Sequence, residues 1–316
     1  MRSPNLIIIA LTQCAMRYLL MEPLLPAKDF ELQFGNFQFL LLVFSTMLIA
    51  AAGYIINDYF DTRTDWINKP GEVVVGIKIS RRIAIILHSI LNIIGVGIGI
   101  YLSFYVNLPS LSLVFILATG LLWFYSTNYK RQFLIGNLIV AFLTALVPMM
   151  VVLFEIPMLN DSYGDIMIRY QASFIYILAW VAGFSFFAFI TTLIREIIKD
   201  MEDFEGDNAY GMKTMPIVLG TRCTKFVLYF LILVTISSLI FLLVKYILFS
   251  GERTDYLSLI YFMVLLVLPL TALFILIIIS RGKKDFHLAS VVIKLIMMFG
   301  ILYSLVVFYI LNFREA

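Results

Sequence analysis

The sequence predicts an all-α membrane protein, a polytopic bundle of about nine transmembrane helices. Hydrophobic residues make up 62% of the 316 residues and charged residues only 14%, against roughly 25% charged residues in a soluble domain. The apolar residues fall in runs of about twenty, the length that a helix needs to cross a bilayer. A β-barrel would instead show short segments of alternating hydrophobicity. Because the bilayer core offers no water to the backbone, each run is expected to be helical.

The nine predicted spans follow one another without a linker or a low-complexity stretch. They cover about 4–22, 38–57, 83–106, 109–127, 133–154, 171–194, 223–247, 256–280 and 287–312. Residues 1–316 are therefore expected to form a single domain. The first run resembles a cleaved signal peptide in part, but eight further spans favour a transmembrane helix. Arg17, late in this run, has two interpretations: a side chain that snorkels to the interface, or a charge that faces the bundle interior.

The distribution of basic residues predicts the orientation of the bundle. With the N-terminus in the cytoplasm, the inner loops carry roughly three times as many Lys and Arg residues as the outer loops, as the positive-inside rule requires. The prediction is an integral, multi-pass protein of the cell (inner) membrane with a cytoplasmic N-terminus. The net charge of +3 is too small to suggest a nucleic-acid partner.

Two acidic motifs with the same spacing follow the second and sixth spans. The first reads NDYFDTRTD and the second lies in REIIKDMEDFEGD. Both contain the pattern DxxDxxxD, formed by Asp58, Asp61 and Asp65 in the first motif and by Asp200, Asp203 and Asp207 in the second. On a helix, steps of three and four residues place all three carboxylates on one face. Both motifs are expected at the cytoplasmic ends of their spans.

The clustered acids predict a bound divalent cation. Like charges at these spacings destabilise a bare helix by a few tenths of a kcal/mol per pair, so six facing carboxylates need a counter-charge. Ligand sets made of oxygen alone favour Mg²⁺ or Ca²⁺ over zinc, and Mg²⁺ completes its shell with water and phosphate oxygens. Basic residues near the motifs, Arg63, Lys130 and Lys199, are candidate contacts to a pyrophosphate group, which metal ions and Lys or Arg together commonly hold.

Four segments together resemble the UbiA superfamily of intramembrane prenyltransferases: NDYFDTRTD, the following NKPG, YSTNYK, and KDMEDFEGDNAYGMKTMPIVLG. The resemblance extends over most of the chain. It implies that a prenyl chain passes from a prenyl diphosphate to an acceptor, and that two Mg²⁺ ions bridge the diphosphate to the two motifs. The implied metal ligands are Asn57, Asp58, Asp61, Asp65, Asp200, Asp203 and Asp207, of which Asp61, Asp65, Asp203 and Asp207 are the catalytic set. Tyr125 and Tyr129 are candidates to shield a carbocation-like centre.

The acceptor has two interpretations. The second motif and GMKTMPIVLG look most like the branch that alkylates geranylgeranylglyceryl phosphate, a lipid acceptor. The alternative is an aromatic quinone precursor of the 4-hydroxybenzoate, dihydroxynaphthoate or homogentisate type. A cation transporter is the alternative from another class, although acids at span ends rather than at the bilayer midplane argue against it. The segments 66–80 and 208–220, which contain several glycines, are expected to act as cytoplasmic lids.

Overall fold

The computed structural model describes residues 3–25, 30–68, 71, 73–169, 171, 173–245 and 255–313, without the side chains of residues 3, 63–65, 67 and 68. This part of the chain is helical apart from short connections. Its α-helices are α1 (Ser3–Cys14), α2 (Asn36–Asn68), α3 (Arg81–Tyr105), α4 (Ser112–Thr127), α5 (Ile135–Arg169), α6 (Ile175–Glu202), α7 (Phe204–Ala209), α8 (Met215–Leu243), α9 (Tyr256–Tyr261), α10 (Leu268–Ile279) and α11 (Lys283–Phe313).

Nine helical segments among the described residues are long and apolar enough to cross a bilayer, with lengths from 18 to 35 residues. Two of these spans contain a π-helical segment. The first continues from α1 through a π-helical turn, Ala15–Met21, and the eighth joins α9 to α10 through another, Phe262–Val267. The β-pairing found in the described ranges is one isolated bridge between Val75 and Ile79. The predicted all-α fold is confirmed.

Several helices extend beyond the predicted spans. Helix α2 continues past residue 57 to Asn68, α5 continues past residue 154 to Arg169, and α8 begins at Met215 rather than at residue 223. Hydropathy marks only the part of a helix that lies in the bilayer. The i→i−4 hydrogen bonds of the backbone can continue into water, so polar sequence after an apolar run does not by itself end a helix.

Local signals explain several helix starts. Ser80 precedes α3, and its side-chain oxygen accepts a hydrogen bond from the Ile83 N–H at 3.3 Å. Asp255 has the same role before α9, where it accepts from the Ser258 N–H at 3.4 Å. Both are preferred N-cap residues. Helix α8 has Pro216 in its first turn, where the missing N–H has no intrahelical partner to lose.

The chain divides into two compact units. The first unit comprises Met1–Lys130 and Leu146–Ser185 and contains the first acidic motif. In it α2 and α3 pack closely, because Gly95 leaves room for the neighbouring helix: the Ser45 side chain donates to the Gly95 carbonyl at 2.7 Å, and a Cβ at Gly95 would meet Ile49. Small residues allow such close approach in membrane bundles.

Arg17 lies inside the first unit. Its side chain is only 2% exposed, and its Nη1 forms an ion pair with Glu155 Oε2 at 2.7 Å, while Nη2 donates to the carbonyl of Phe34. Glu155 also accepts hydrogen bonds from the backbone N–H groups of Gln33 and Phe34 at 2.5 and 3.0 Å. Of the two interpretations of Arg17, the interior charge is confirmed and the snorkelling side chain is wrong.

The second unit comprises Arg131–Ala145 and Phe186–Ala316 and contains the second acidic motif. Lys225 of α8 donates to the Ser280 carbonyl at 2.5 Å and so satisfies the backbone at the end of α10. Asp285, in the first turn of α11, accepts from the N–H groups of Arg281 and Gly282, which precede this helix, at 2.7 and 3.2 Å. Helices α5 and α6 each contribute residues to both units, and the single domain stays a prediction.

Candidate functional site

The first acidic motif lies on the last three turns of α2. The helix runs without a break through Asn57, Asp58 and Asp61, so the three- and four-residue steps act as helical steps, as predicted. Asn57 and Asp61 are 6% and 4% exposed, and Asp58 is half-buried. The backbone of Arg63 and Asp65 continues the same helix, and their side chains lie outside the described part of the chain.

Asp61 pairs with a predicted diphosphate contact. Lys130 lies in a 3₁₀ turn, Tyr129–Arg131, which follows α4, and its Nζ contacts Asp61 Oδ2 as a salt bridge. The two residues are 69 positions apart in sequence. The tertiary structure therefore brings one candidate metal ligand and one candidate phosphate contact to the same place in the first unit.

The side-chain oxygen of Asn57 is suited to a cation. Asn57 Oδ1 is buried and has no hydrogen-bond partner among the described groups. Burying an amide oxygen without a partner costs about 1–3 kcal/mol, so such atoms usually serve a ligand, an ion or a bound water. Amide and carboxylate oxygens from Asn57 and Asp61 form the kind of hard donor set that Mg²⁺ accepts.

The second motif departs from the expected single helix. Helix α6 ends at Glu202, and α7 begins at Phe204, because Asp203 between them has φ −91° and ψ 7°. Glu205 and Asp207 lie in the first turn of α7, where the positive end of the helix dipole favours acids. This preference for a new helix start explains the break. The step from Asp203 to Asp207 is still a helical one, because the Asp207 N–H donates to the Asp203 carbonyl at 3.1 Å. The Asp203 N–H in turn donates to the Lys199 carbonyl at 2.8 Å.

The acids of the second motif act on one another. Asp207 is buried, and its charge and that of Glu196 both repel the half-buried carboxylate of Asp200. Asp203 Oδ1 is a buried oxygen without a hydrogen-bond partner among the described groups. The second motif therefore contains, like the first, a buried oxygen suited to a cation.

Lys199 lies beside the second motif, half-buried, with its Nζ 3.9 Å from Glu196 Oε2. Arg195 also forms a salt bridge with Glu196, which concentrates two positive charges next to this motif. The described contact of the Tyr129 ring is with Phe124, at 6.1 Å between ring centroids. The cation-stabilising roles of Tyr125 and Tyr129 stay a prediction.

Asn137 is a polar partner that the sequence analysis missed. It lies in the first turn of α5, it is 9% exposed, and its Nδ2 donates to Asp200 Oδ2 at 2.8 Å. The signal was present, because an asparagine inside the apolar run of the fifth span is costly to bury unless it has a partner. Only the tertiary structure identifies that partner as Asp200.

Among the described side chains, no three His, Cys, Asp or Glu residues converge closely enough to enclose a metal ion. A magnesium site does not need such a cluster, because Mg²⁺ is commonly bound by one or two carboxylates together with water and substrate phosphates. Within the first unit, Asn57 and Asp61 fit that requirement, and within the second unit, Asp200 and Asp203 do.

The predicted lids are shorter than expected. Residues 66–68 are still part of α2, and residues 69, 70 and 72 lie outside the described part of the chain. The second segment narrows to residues 210–214, because α7 ends at Ala209 and α8 begins at Met215. Gly211 within it has φ 64°, a conformation that favours glycine. Closure of these segments over a ligand stays a prediction.

The long apolar helices define an integral, multi-pass membrane protein, and comparison with known proteins gives its family. Residues 29–299 match the model of the UbiA prenyltransferase family. The chain belongs to the UbiA prenyltransferase family, as the sequence motifs predicted.

Two curated relatives carry the same name. The chain is 35% identical over 191 residues to the digeranylgeranylglyceryl phosphate synthase of Methanothermobacter thermautotrophicus, a match that covers 60% of this chain and 59% of that protein. It is 30% identical over 260 residues to the synthase of that name from Thermococcus kodakarensis, with 80% of each chain covered. The match to the Methanothermobacter protein thus spans less than two thirds of that relative's length.

Solved structures share the fold. A structure of digeranylgeranylglyceryl phosphate synthase aligns with a TM-score of 0.63 at 22% identity, covering 96% of this chain and 94% of the other. A UbiA homologue from Archaeoglobus fulgidus, bound to DMAPP and Mg²⁺, aligns with a TM-score of 0.52 at 15% identity, covering 95% of this chain and 97% of the other. At these identities the likeness concerns the fold.

Proposed function

We propose that this protein is a Mg²⁺-dependent prenyltransferase that moves a prenyl chain from a prenyl diphosphate to geranylgeranylglyceryl phosphate or a similar membrane lipid. The observation that carries the proposal is that each acidic motif has a buried oxygen without a hydrogen-bond partner among the described residues: Asn57 Oδ1 in the first and Asp203 Oδ1 in the second. Family membership supplies the reaction type, and the Archaeoglobus homologue, bound to DMAPP and Mg²⁺, supports the cofactor.

Each motif contributes oxygen ligands. Asn57, Asp58, Asp61 and Asp65 are the proposed set of the first motif, and Asp200, Asp203 and Asp207 are that of the second. When bound, Mg²⁺ neutralises the leaving diphosphate, so that the allylic C–O bond can ionise. That two ions serve one diphosphate rests on the family resemblance.

Basic side chains complete the charge balance. Lys130 neutralises Asp61 in the described structure, and we propose that it transfers this contact to a diphosphate oxygen when a cation binds Asp61. Lys199, beside Glu196, has the corresponding role in the second motif, and Arg63 adds a charge next to the first. Positive charges held in place before the reaction stabilise a developing pyrophosphate anion without a reorganisation cost.

The surroundings of the site suit a long isoprenoid chain. The spans are predominantly apolar, so they offer lipid-like packing to the prenyl tail and keep water from a carbocation-like centre. The excess of Lys and Arg in alternate loops supports a cytoplasmic N-terminus and a site that opens to the cytoplasm.

The lipid acceptor is supported by the names of the relatives, of which the Thermococcus protein matches over most of both chains. An aromatic quinone precursor is the competing acceptor within the same reaction type. A transporter of cations would use the same acids and would release no pyrophosphate.

A transfer assay on purified protein in detergent tests the proposal. Labelled geranylgeranyl diphosphate and Mg²⁺ are offered with either geranylgeranylglyceryl phosphate or an aromatic quinone precursor. The native protein is compared with Asp61→Asn and Asp203→Asn, and with Asp161→Asn as the matched control, because Asp161 is an exposed acid on α5.

We expect metal-dependent labelling of the lipid, lost by at least 100-fold in both motif variants and retained in Asp161→Asn; the size follows from removing an electrostatic contact at the reacting group. Labelling of the aromatic acceptor alone would move the protein to the alternative acceptor. A native protein that neither transfers the label nor binds the diphosphate with Mg²⁺ would refute the prenyltransferase proposal and favour the transporter.

A further inference from the structure

The contact between Asn137 and Asp200 belongs to the second unit and joins two residues that are 63 positions apart. Asn137 is buried on α5, and its amide nitrogen donates to one oxygen of Asp200, Oδ2, at 2.8 Å. A carboxylate has two oxygens with about four acceptor positions. The hydrogen bond fixes the plane of the carboxylate through Oδ2 and leaves Oδ1 able to bind a cation.

This contact acts against a repulsion. The negative charges of Glu196 and Asp207 both act on Asp200, and Glu196 lies four residues before Asp200 on α6, a spacing at which like charges repel each other. A neutral amide donor holds the carboxylate in place despite that repulsion. Because the amide carries no charge, it does not compete with a cation for Asp200, as a lysine would.

The backbone around Asn137 is itself anchored next to the second motif. The carbonyl of Arg131 accepts a hydrogen bond at 2.9 Å from the N–H of Lys213, which follows α7. Leu134, three residues before Asn137, has φ 61°, a value that is uncommon outside glycine. The start of α5 is therefore fixed on one side by a backbone bond and on the other by the Asn137–Asp200 contact.

From these contacts we infer that Asn137 is a positioning residue, which holds the Asp200 carboxylate in the orientation that binds the divalent cation. The inference deepens the proposed function and rests on it. Asn137 acts through Asp200 and touches neither the diphosphate nor the prenyl chain. Residues that orient metal ligands in this way typically change metal affinity by 10–100-fold when they are replaced.

The experiment measures metal binding directly, using Mn²⁺ as a paramagnetic substitute for Mg²⁺. Free Mn²⁺ is followed by electron paramagnetic resonance as it is titrated into purified protein in detergent, with inorganic pyrophosphate present. Two variants are compared with the native chain: Asn137→Leu removes the donor and keeps the number of heavy atoms, and Asn137→Ala removes the donor and shortens the side chain. Asn92→Leu is the control, because Asn92 is also a hydrogen-bonded asparagine of a span, on α3, and belongs to the first unit.

We expect Asn137→Leu and Asn137→Ala each to weaken Mn²⁺ binding by 10–100-fold, and Asn92→Leu to leave it within about twofold. In an Asp200→Asn background, Asn137→Leu has no additional effect on Mn²⁺ affinity, because the group through which it acts has changed; a general structural role would instead give additive losses.

Unchanged Mn²⁺ affinity in both Asn137 variants would overturn the inference, as would full additivity with Asp200→Asn. If one variant fails to fold, the other decides the question, because the two differ in side-chain volume and both lack the donor. The titration does not depend on turnover. Mn²⁺ binding that depends on Asn137, in a protein that transfers no prenyl chain, would support the positioning role and refute the proposed reaction. Normal prenyl transfer, in a protein whose Mn²⁺ binding does not depend on Asn137, would support the proposed reaction and refute the positioning role.

Discussion

The buried ion pair between Arg17 and Glu155 predicts that Glu155→Gln destabilises the native protein but stabilises a variant that lacks Arg17. Arg17 is 2% exposed and Glu155 is 0% exposed. Glu155→Gln keeps a carbonyl oxygen that can accept from the backbone N–H groups of Gln33 and Phe34, but it removes the counter-charge of Arg17. Breaking a buried pair from one side costs about 3–5 kcal/mol, since it leaves a buried charge without compensation.

The same substitution is expected to have the opposite effect when Arg17 is replaced first. In Arg17→Met, the carboxylate of Glu155 is the uncompensated charge, and the methionine can pack on the ring of Phe39, which the Arg17 guanidinium already covers at 4.8 Å. Arg17→Met alone should cost about 3–5 kcal/mol. Adding Glu155→Gln to Arg17→Met then removes the buried charge, so the double variant should be more stable than Arg17→Met.

Thermal unfolding in detergent, followed by the fluorescence of the three tryptophans, measures both effects. A loss of 3–5 kcal/mol corresponds to a fall in the unfolding midpoint on the order of 10 °C. Asp161→Asn, which neutralises an exposed acid on the same helix as Glu155, controls for a change of charge without burial. If Glu155→Gln lowers the midpoint equally in the native and Arg17→Met backgrounds, the ion-pair explanation is refuted.

Two further predictions concern glycines. Gly99→Ala should destabilise the protein by about 1–3 kcal/mol, because its Cβ would overlap the Phe115 ring. Gly97→Ala is the control and should not destabilise it, because nothing lies within 4 Å of that Cβ position. Equal unfolding midpoints for the two variants would contradict this prediction. Gly220 lies within α8 with φ 78° and ψ 159°, so Gly220→Ala should cost about 1–3 kcal/mol through backbone strain, while Gly183→Ala, in a helical conformation with open space, should be neutral or stabilising. A Gly220→Ala variant as stable as Gly183→Ala would show that α8 tolerates a regular helix at this position.

The sequence predicted the membrane bundle because hydropathy is a local property. Runs of about twenty apolar residues must be helical in lipid, and nine such helices are found among the described residues. Hydropathy did not predict the helix ends, because α2 continues through the first acidic motif to Asn68, where the sequence is no longer apolar. The family could also be inferred from the motifs, because the acids and their spacing stand in the sequence itself.

Contacts between side chains that are distant in sequence could not be predicted from these local properties. Nothing in the sequence joins Arg17 to Glu155, Lys130 to Asp61, or Asn137 to Asp200, which lie 138, 69 and 63 residues apart. The sequence alone offered two interpretations of Arg17, and it supported Lys130 only as a general phosphate contact.

The amino-acid sequence by itself determined that this chain is a multi-pass helical membrane protein with two oxygen-rich motifs, because composition, run length and residue spacing are sufficient for those conclusions. Only the tertiary structure decided that Arg17 faces inward, that α6 ends before Asp203, and that Asn137 donates a hydrogen bond to Asp200. The physical reason is the range of the interactions. Hydropathy and helical periodicity act within a few turns, whereas the partner of a buried polar group is set by which helices pack together.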